Sequence, residues 1–334
     1  MKAIARYQPL PIDHPESLVD TTLPVPAPGP RDLLVRVHAV SVNPVDTKVR
    51  ANAAADGQPK VLGFDAAGVV EAVGAQVTLF KPGDRVMYAG DITRPGSNAE
   101  LQAVDERIVG RMPASLGFAE AAALPLTAIT AWELLFDRLG ITPRTTGTLL
   151  VIGAAGGVGS ILVQLARQLT ALTIVGTASR PETQAWVREL GAHHVIDHTK
   201  PLTEGLRAAG LGQVEFVASL TQTDQHYAQI VEALAPQGRL GLIDDPKARL
   251  DVMALKRKAL SLHWEMMFAR PMFQTPDMQA QHDLLERVAA LVDEGRLRTT
   301  LGERFGAINA ANLRRAHALI ESGRAKGKVV LEGF

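Results

Sequence analysis

The residues most suited to chemistry lie in a glycine-rich segment, GAAGGVG at 153–159. An apolar run, LLVI at 149–152, precedes it and predicts a strand, and apolar residues with helical spacing follow it. A glycine-rich turn between a strand and a helix is typical of dinucleotide binding, because the helix N-terminus offers unpaired N–H groups to a pyrophosphate. We expect Gly156 to let the backbone approach the pyrophosphate and Gly159 to let helix and strand pack closely, although Ala154 occupies the first glycine position of the G-x-G-x-x-G pattern. The alternative is a turn whose glycines serve packing alone.

The residues after the next predicted strand indicate which dinucleotide would bind. The pattern places an acidic residue about 20 positions beyond the last glycine, where it binds the ribose 2′-hydroxyl of NAD. Here that position is Ser179, followed by Arg180, and no carboxylate stands there. A hydroxyl beside a guanidinium suits a 2′-phosphate, so we expect NADPH rather than NADH. The segment Ser179-Arg180-Pro181-Glu182 also matches a helix capping box, and the two roles are compatible.

Two patterns along the chain predict two kinds of domain. About the first 120 residues contain short apolar runs separated by turn pairs such as Pro-Gly and Gly-Asp, which predicts a small β-rich domain. From about Leu124 apolar strands alternate with helices, which predicts an α/β fold with a doubly wound parallel sheet of the Rossmann type. The main predicted elements are helices at 128–139, 224–235, 277–293 and 309–322, and strands at 149–152, 172–175, 195–196, 214–219, 239–243 and 328–331.

Composition excludes several classes of function. The 35 basic residues balance the 35 acidic ones, so the chain has no electrostatic footprint for nucleic acid or for an anionic membrane surface. No apolar run approaches the roughly 18 residues of a membrane span, and the N-terminus lacks the apolar block of a signal peptide. We therefore expect a cytoplasmic protein with neither nucleic acid nor membrane as a partner. Cysteine is absent, which excludes disulfides, thiol nucleophiles and cysteine-ligated zinc.

Short motifs spread over nearly the whole chain carry a family resemblance. They are SVNPVDTK at 41–48, GFDAAG at 63–68, KPGDRV at 81–86, LPLTA at 124–128, AAGGVG at 154–159 and GKVVL at 327–331. With these motifs the chain resembles the medium-chain dehydrogenase/reductases, in particular the quinone oxidoreductase branch. It is also similar to the subgroup called zinc-type alcohol dehydrogenase-like.

The resemblance implies a fold and an assembly. A GroES-like β-rich domain is formed by both chain ends, residues 1–124 and 266–334, and a Rossmann domain at 125–265 is inserted between them. Nicotinamide and substrate are expected in the cleft between the two domains. A homodimer that pairs Rossmann edge strands is also implied.

The zinc-bearing relatives bind a catalytic zinc through Cys, His and Cys, and this chain departs from them at all three positions. The corresponding residues are Asn43, Phe64 and Leu126, none of which is a usual zinc ligand. The four-cysteine structural lobe of those relatives is replaced by a short polar segment at 90–100. We therefore expect no metal.

Without a metal, the substrate itself must delocalise the negative charge that hydride transfer creates. A quinone or an α,β-unsaturated carbonyl does so, and we expect hydride transfer from NADPH to such an acceptor. The catalytic candidates are Asn43 as an amide donor to an oxyanion, Asp46 as an orienting group or proton relay, and Lys48 as a donor to the reduced substrate. Their structural alternatives are turn formation, a local backbone cap and a solvated lysine. Lys48 also replaces a tyrosine common in the quinone oxidoreductase branch.

Further candidates come mainly from matched positions. Phe64 and Trp264 are the candidates for the substrate pocket, although the segment HWEMMF at 263–268 also suits core or dimer packing. The cofactor-binding candidates are Thr130, Ala155, Gly156, Gly157, Val158, Ser179, Arg180, His198, Thr221, Ile243 and Lys328. Two other functions remain open, a zinc-type alcohol dehydrogenase and a non-catalytic NADPH-binding sensor or structural protein.

Overall fold

The chain is organised as two compact units. The computed structural model describes residues 1–52 and 57–334. Unit 1 comprises Met1–Ile129 and Phe268–Phe334, and unit 2 is the segment Thr130–Met267 that lies between them in the sequence. The first segment of unit 1 therefore ends at 129 where the sequence suggested 124, and unit 2 ends at 267 where the sequence suggested 265.

The chain contains sixteen strands and eleven α-helices within the residues that the structure describes. The strands in chain order are β1 (Lys2–Arg6), β2 (Val19–Thr22), β3 (Asp32–Val42), β4 (Lys60–Val61), β5 (Ala66–Val73), β6 (Arg85–Tyr88), β7 (Leu101–Asp105), β8 (Val109–Arg111), β9 (Thr148–Ile152), β10 (Thr173–Thr177), β11 (His194–Ile196), β12 (Val214–Ser219), β13 (Leu234–Leu242), β14 (Ser261–Trp264), β15 (Leu301–Arg304) and β16 (Lys328–Glu332). The helices are α1 (Pro44–Asn52), α2 (Phe118–Ala122), α3 (Pro125–Trp132), α4 (Gly157–Leu169), α5 (Pro181–Glu189), α6 (Leu202–Ala208), α7 (Thr223–Ala233), α8 (Met253–Lys256), α9 (Ala269–Phe273), α10 (Ala280–Asp293) and α11 (Ala310–Glu321).

Unit 1 is a β-rich unit whose central strand is β3. The larger sheet has the order β15-β16-β3-β5-β6-β8, with β7 paired to β3 beside this path, and a smaller sheet has the order β2-β1-β4. β3 runs antiparallel to both β5 and β16. The end of β3 therefore meets the beginnings of β5 and β16, which brings together three residues far apart in sequence, Asn43, Asp65 and Lys328.

Close strand pairing in unit 1 depends on a glycine in β5. A Cβ atom on Gly68 would lie 2.1 Å from the carbonyl oxygen of Arg36, a distance that no side chain tolerates. Val35, Val37 and Val40 of β3 fill the core on either side of this contact. The packing fixes the register of β3 against β5, and with it the position of the residues that follow β3.

Unit 2 contains a six-stranded parallel sheet with the order β11-β10-β9-β12-β13-β14. Counted within the unit, this is the order 3-2-1-4-5-6 of a dinucleotide-binding sheet. Leu150, Val175, Val217 and Leu240 of neighbouring strands are fully buried in its core. The predicted Rossmann-type fold and the β-rich companion unit are both confirmed.

Several predicted elements differ in their bounds from those in the structure, and α10, for example, begins at Ala280 rather than at 277. The helix predicted at 128–139 begins at Pro125 and continues after α3 as a π-helical turn, Glu133–Arg138. The strand predicted at 239–243 begins at Leu234, because a register shift in its pairing with β12 places Pro236 and Gly238 inside the strand. Proline and glycine favour a loop in the sequence, which explains the later start that was predicted.

One helical stretch within the described residues, Phe118–Arg138, is long and apolar enough to cross a membrane by length and composition. No such run was expected from the sequence. The stretch arises because α2, α3 and the π-helical turn follow one another almost without interruption. Its most apolar window is 83% buried inside the protein, as in a core helix that passes the same test, so it is weak evidence for a membrane span.

Candidate functional site

The glycine-rich turn connects β9 to α4 in unit 2. Gly153 has a left-handed φ of 81°, and a Cβ there would lie 2.9 Å from Cγ2 of Thr221. Gly153 is thus the residue whose conformation requires glycine. Ala154, the next residue, is not left-handed, so an alanine is compatible with the turn at that position. At Gly159 a Cβ would lie 2.4 Å from the carbonyl oxygen of Gly153, which confirms that close packing of α4 on the end of the strand requires glycine.

Gly156 differs from these two because its conformation and its packing do not require a glycine. It is the N-cap of α4 with an extended backbone, φ −74° and ψ −179°, and the nearest atom to its Cβ would be 3.4 Å away. The N–H groups in the first turn of any helix lack intrahelical acceptors, and the N-cap residue of α4 offers no side chain to accept from them. Packing alone therefore does not account for this glycine, and the approach of a phosphate to its backbone remains a prediction. Ala155, Gly157 and Val158 lie half-buried in the same turn.

Five further cofactor candidates follow the strands of the parallel sheet. Ser179 and Arg180 follow β10, His198 follows β11, Thr221 follows β12 and Ile243 follows β13. Since these strands are parallel, their carboxyl ends share the sheet edge at which the glycine-rich turn also lies. The structure therefore brings these five candidates to one edge, around the point where the strand order reverses between β9 and β12.

The capping box predicted at the start of α5 is wrong. Arg180 is the N-cap rather than Ser179, and no side chain caps the helix. The helix begins at Pro181, as proline at the first position favours, so Glu182 is one residue too early to close the box. The Glu182 carboxylate instead lies 3.1 Å from Nε of Arg180, whose side chain is 43% exposed.

His198 lies against a second imidazole, that of His226 on α7. The ring centroids are 6.1 Å apart and the ring planes are nearly perpendicular. Nδ1 of each ring is buried and lacks a hydrogen-bond partner in the described parts of the chain. Burial, helped by the nearby His198, lowers the pKa of His226, which keeps that ring neutral near neutral pH.

The catalytic candidates lie in unit 1, where β3 leads into α1. The Asp46 carboxylate accepts hydrogen bonds from the backbone N–H groups of Asn43 at 2.7 Å and of Gly63 at 3.0 Å. Burial raises the pKa of Asp46 to about 7, against the effect of these bonds. Asp46 thus forms the backbone cap considered as its structural alternative, while Lys48 lies exposed on the same helix. The catalytic roles of both remain predictions.

Asn43 belongs to a buried polar cluster with Asp65 and Lys328. Nδ2 of Asn43 donates to Oδ2 of Asp65 at 3.0 Å, and weaker contacts join it to the carbonyl oxygens of Ser41 and Phe64. Nζ of Lys328 donates to Oδ1 of Asn43 and, at 2.8 Å, to Oδ2 of Asp65. The Asn43 amide is therefore engaged on both sides, and an oxyanion would have to displace one of these bonds.

Asp65 is the centre of this cluster. Its Oδ1 accepts the backbone N–H of Leu126 at 2.8 Å, while Lys328 and Asn43 share Oδ2. The residue is completely buried. Burial raises the pKa of Asp65, and the charge of Lys328 opposes that rise. The carboxylate is thus held by three donors, of which one is a cation.

The remaining candidates lie apart from these clusters. Phe64, in unit 1, is 2% exposed, and its ring packs edge-on against Phe268 with 5.5 Å between centroids. Trp264, in unit 2, is 52% exposed on β14, the outermost strand of the parallel sheet. Thr130 is buried at the first position of unit 2.

Comparisons with known proteins agree with this architecture. A family model described as an alcohol dehydrogenase GroES-like domain matches residues 29–131, and one described as a zinc-binding dehydrogenase matches residues 190–331. A zinc-type alcohol dehydrogenase-like protein of Staphylococcus aureus (strain MRSA252) is 41% identical over 310 residues, which cover 92% of each chain. The chain belongs to the medium-chain dehydrogenase/reductase superfamily.

Two further similarities agree with this superfamily, and the first of them is to a protein named quinone oxidoreductase. A quinone oxidoreductase of Pseudomonas aeruginosa is 33% identical over 323 residues, covering 91% of this chain and 92% of the relative. A crystal structure of a candidate zinc-dependent alcohol dehydrogenase from Rhizobium etli CFN 42 has a TM-score of 0.96 and 61% identity, covering 100% of this chain and 98% of the other. The chain is accordingly an oxidoreductase of the medium-chain dehydrogenase/reductase type, and unit 2 fits the nicotinamide cofactor of that superfamily.

The zinc in the names of several medium-chain relatives does not fit the residues of this chain. Asn43, Phe64 and Leu126 converge around Asp65, but they offer an amide, a phenyl ring and a hydrocarbon chain where zinc takes thiolate, imidazole or carboxylate. Within 1–52 and 57–334, no group of three or more His, Cys, Asp and Glu residues could hold a metal. The one carboxylate at the centre already binds the ammonium of Lys328, which would repel a dication.

Sequence reasoning missed a second buried cluster, in unit 2 of this oxidoreductase. Glu133 and Glu265 are 0% and 3% exposed, and Arg138 Nε lies 2.8 Å from Oε2 of Glu265. Nη2 of Arg138 is 3.8 Å from Oε2 of Glu133. Burial, and then the charge of Glu133, raises the pKa of Glu265 to about 9. Arg138 and Glu265 are 127 positions apart, so no sequence spacing announces the cluster.

Proposed function

We propose that this medium-chain oxidoreductase transfers a hydride from NADPH to a quinone or an α,β-unsaturated carbonyl without a metal. The observation that carries the proposal is the cluster around Asp65, where a lysine ammonium is the buried cation and the aligned metal positions lack metal ligands. A substrate at such a site receives no Lewis acid, so the favoured acceptors spread the developing charge through their own conjugated system. The similarity to a protein named quinone oxidoreductase supports the same substrate class.

The preference for NADPH rests on the residues after β10. Ser179 and Arg180 present a hydroxyl and a guanidinium at the carboxyl edge of the sheet, a pair that suits the 2′-phosphate. Glu182 competes for that guanidinium, but a phosphate carries more charge and matches the planar fork of arginine. When bound, the cofactor supplies the hydride, while the first turn of α4 holds its pyrophosphate through backbone N–H groups. Thr130, His198, Thr221 and Ile243 complete the proposed cofactor contacts.

The catalytic roles divide between a donor and its support. Lys48 is exposed on α1 and can give a hydrogen bond or a proton to the oxygen of the reduced acceptor. Asn43 and Asp46 shape the turn that carries this helix, since Asp46 binds the backbone of both Asn43 and Gly63. Phe64 in unit 1 and Trp264 in unit 2 are each proposed as an apolar contact for the substrate.

The proposed assembly is a cytoplasmic homodimer. β14 is the outermost strand of the parallel sheet, and Trp264 and Met266 beside it are 52% and 48% exposed. An open strand edge flanked by large apolar side chains favours pairing with a second copy. Light scattering on the purified protein should give twice the mass of the 334-residue chain, and a monomer at micromolar concentration would contradict this part.

A single screen tests the proposed reaction. NADPH oxidation is followed with quinones, enals, enones, simple aldehydes and simple ketones, with the metal content of the same preparation measured in parallel. Turnover with conjugated acceptors, and not with simple carbonyls, in a preparation with far less than one zinc per chain supports the proposal. Stoichiometric zinc with alcohol oxidation would establish a zinc-type alcohol dehydrogenase instead. Tight NADPH binding without turnover of any acceptor would establish a non-catalytic NADPH-binding protein.

A further inference from the structure

The family motif at 327–331 makes Lys328 a cofactor-binding candidate, but in the structure its side chain binds two residues of unit 1. Its side chain is 3% exposed, and Nζ donates to Asn43 and Asp65 inside unit 1. We propose that Lys328 and Asp65 form a positioning pair that fixes the Asn43 amide and the start of β5, in the place where metal-bearing relatives use zinc. Lys328 then acts on catalysis through Asn43 and makes no contact with the cofactor. The kinetic part of this inference rests on the function proposed above.

Lys328 and Asp65 together hold the side-chain amide of Asn43 in one orientation. Oδ1 of Asn43 accepts from Lys328 and Nδ2 donates to Asp65, so only one of the two amide orientations satisfies both charged partners. A flipped amide would place its NH₂ group against the ammonium and its oxygen against the carboxylate. The ion pair therefore decides which way Asn43 faces.

The same pair ties together three segments of unit 1. Lys328 begins β16, Asp65 precedes β5 and Asn43 follows β3. Through its second oxygen Asp65 also holds the backbone N–H of Leu126, at the start of α3. A single buried cation thus holds in register all three positions that correspond to metal ligands in the relatives, Asn43, Phe64 beside Asp65, and Leu126.

The charge balance explains why the lysine cannot simply be removed. Asp46 and Asp65 are both buried, and Lys328 is the charge that acts favourably on each of them. Loss of the ammonium alone would leave a buried carboxylate without its counter-ion, which is strongly destabilising, whereas loss of both charges costs much less. If Lys328 and Asp65 are a positioning pair, removing both charges should therefore destabilise the protein much less than removing the lysine alone. A lysine that only contacts the cofactor would not show this difference.

The test compares Lys328→Met, the double variant Asp65→Asn with Lys328→Met, Lys328→Arg, and the control Lys326→Met, which removes a half-buried lysine two residues earlier. Melting temperature, the NADPH dissociation constant from fluorescence titration, and kcat with the best acceptor are measured for each. We expect Lys328→Met to lower the melting temperature by on the order of 10 °C and the double variant to recover most of that loss. NADPH affinity should change by less than about threefold in both.

The values of kcat and KM distinguish a role of Lys328 in positioning Asn43 from a role in stability alone. The double variant should keep KM for NADPH and lose kcat on the order of tenfold, because a methionine side chain cannot donate a hydrogen bond to Oδ1 of Asn43. Lys328→Arg should restore a large part of kcat. A tenfold weaker NADPH affinity in both methionine variants, a double variant as unstable as Lys328→Met, or a double variant with full kcat would each overturn the proposal. If the wild type turns over no acceptor, the proposed function fails, and melting and NADPH binding still decide for or against the pair.

Discussion

Replacing Glu265 with glutamine should remove much of the stability that the protein loses as the pH rises from 5 to 8. Two buried carboxyl groups, Glu133 and Glu265, share one guanidinium, that of Arg138. Two carboxylates in contact with a single cation cannot both stay ionised inside a protein, so the pair keeps one proton. The pKa of Glu265, raised to about 9 chiefly by burial, expresses that shared proton.

The sign and the size of the effect follow from proton linkage. The folded-state pKa is raised above the ordinary value of 4.5, so the stabilisation is fully present below pH 4.5 and is lost as the pH rises through about 9. Each pH unit in that window costs about 1.4 kcal/mol, because the folded chain retains a proton that the unfolded chain releases. Between pH 5 and pH 8 the wild type should therefore lose on the order of 4 kcal/mol through this pair. Glutamine keeps the shape and one donor but does not titrate.

The assay is urea unfolding at pH 5, 6.5 and 8, followed by a signal from unit 2. Glu265→Gln should match the wild type within about 1 kcal/mol at pH 5 and exceed it by a few kcal/mol at pH 8. Glu133→Gln should flatten the pH dependence less, because burial, the largest cause of the raised pKa of Glu265, remains, and Glu204→Gln, at an exposed position of the same unit, should leave it unchanged. Parallel pH dependences for the wild type and Glu265→Gln would refute the shared proton.

Four further substitutions test the cofactor turn, the 2′-phosphate contact and the proton donor. Gly159→Ala should prevent normal packing, since its Cβ would lie 2.4 Å from a carbonyl oxygen, whereas Gly156→Ala should cost about 1 kcal/mol of stability and weaken NADPH binding about tenfold; equal stability losses in thermal melts would contradict the distinction. Arg180→Ala should raise KM for NADPH at least about tenfold and leave KM for NADH nearly unchanged, and an equal rise for both would remove the phosphate contact. Lys48→Ala should lower kcat without weakening NADPH binding in a fluorescence titration, and an unchanged kcat would exclude Lys48 from the reaction.

Local patterns in the sequence were sufficient for the fold of unit 2. The strand at Val214–Ser219 was predicted with its observed bounds, and the β9–turn–α4 unit was recognised from its glycines and helical spacing. These features depend on residues within about ten positions of one another, where period and turn chemistry are reliable guides. A similar local argument placed Thr221 and Ile243 at strand ends, whereas Ser179 was chosen by its spacing from Gly159 and His198 by a matched family position.

Features that depend on distant residues were not predictable in this way. The engagement of Asp65 by Lys328 joins positions 263 residues apart, and the role of Asp65 could not be assigned from the sequence. The capping box failed for a smaller reason, since a helix that starts one residue later removes it. At Gly153 the close contact that a Cβ would make with Thr221 arises only because β12 lies beside β9, and no local pattern announces it.

The interrupted layout of unit 1 has a consequence for how the protein is made. During synthesis the strands from β1 to β8 leave the ribosome first, but β3 cannot complete its sheet until β16 follows, and Lys328 is synthesised 285 residues after Asn43. Unit 2 is one continuous segment, so it can fold to completion while unit 1 still waits for its last strand. Until then the Asp65 carboxylate lacks its lysine. The incomplete β-rich unit is therefore the nascent form that chaperones or proteases would encounter. This form persists until β16 is synthesised and pairs with β3.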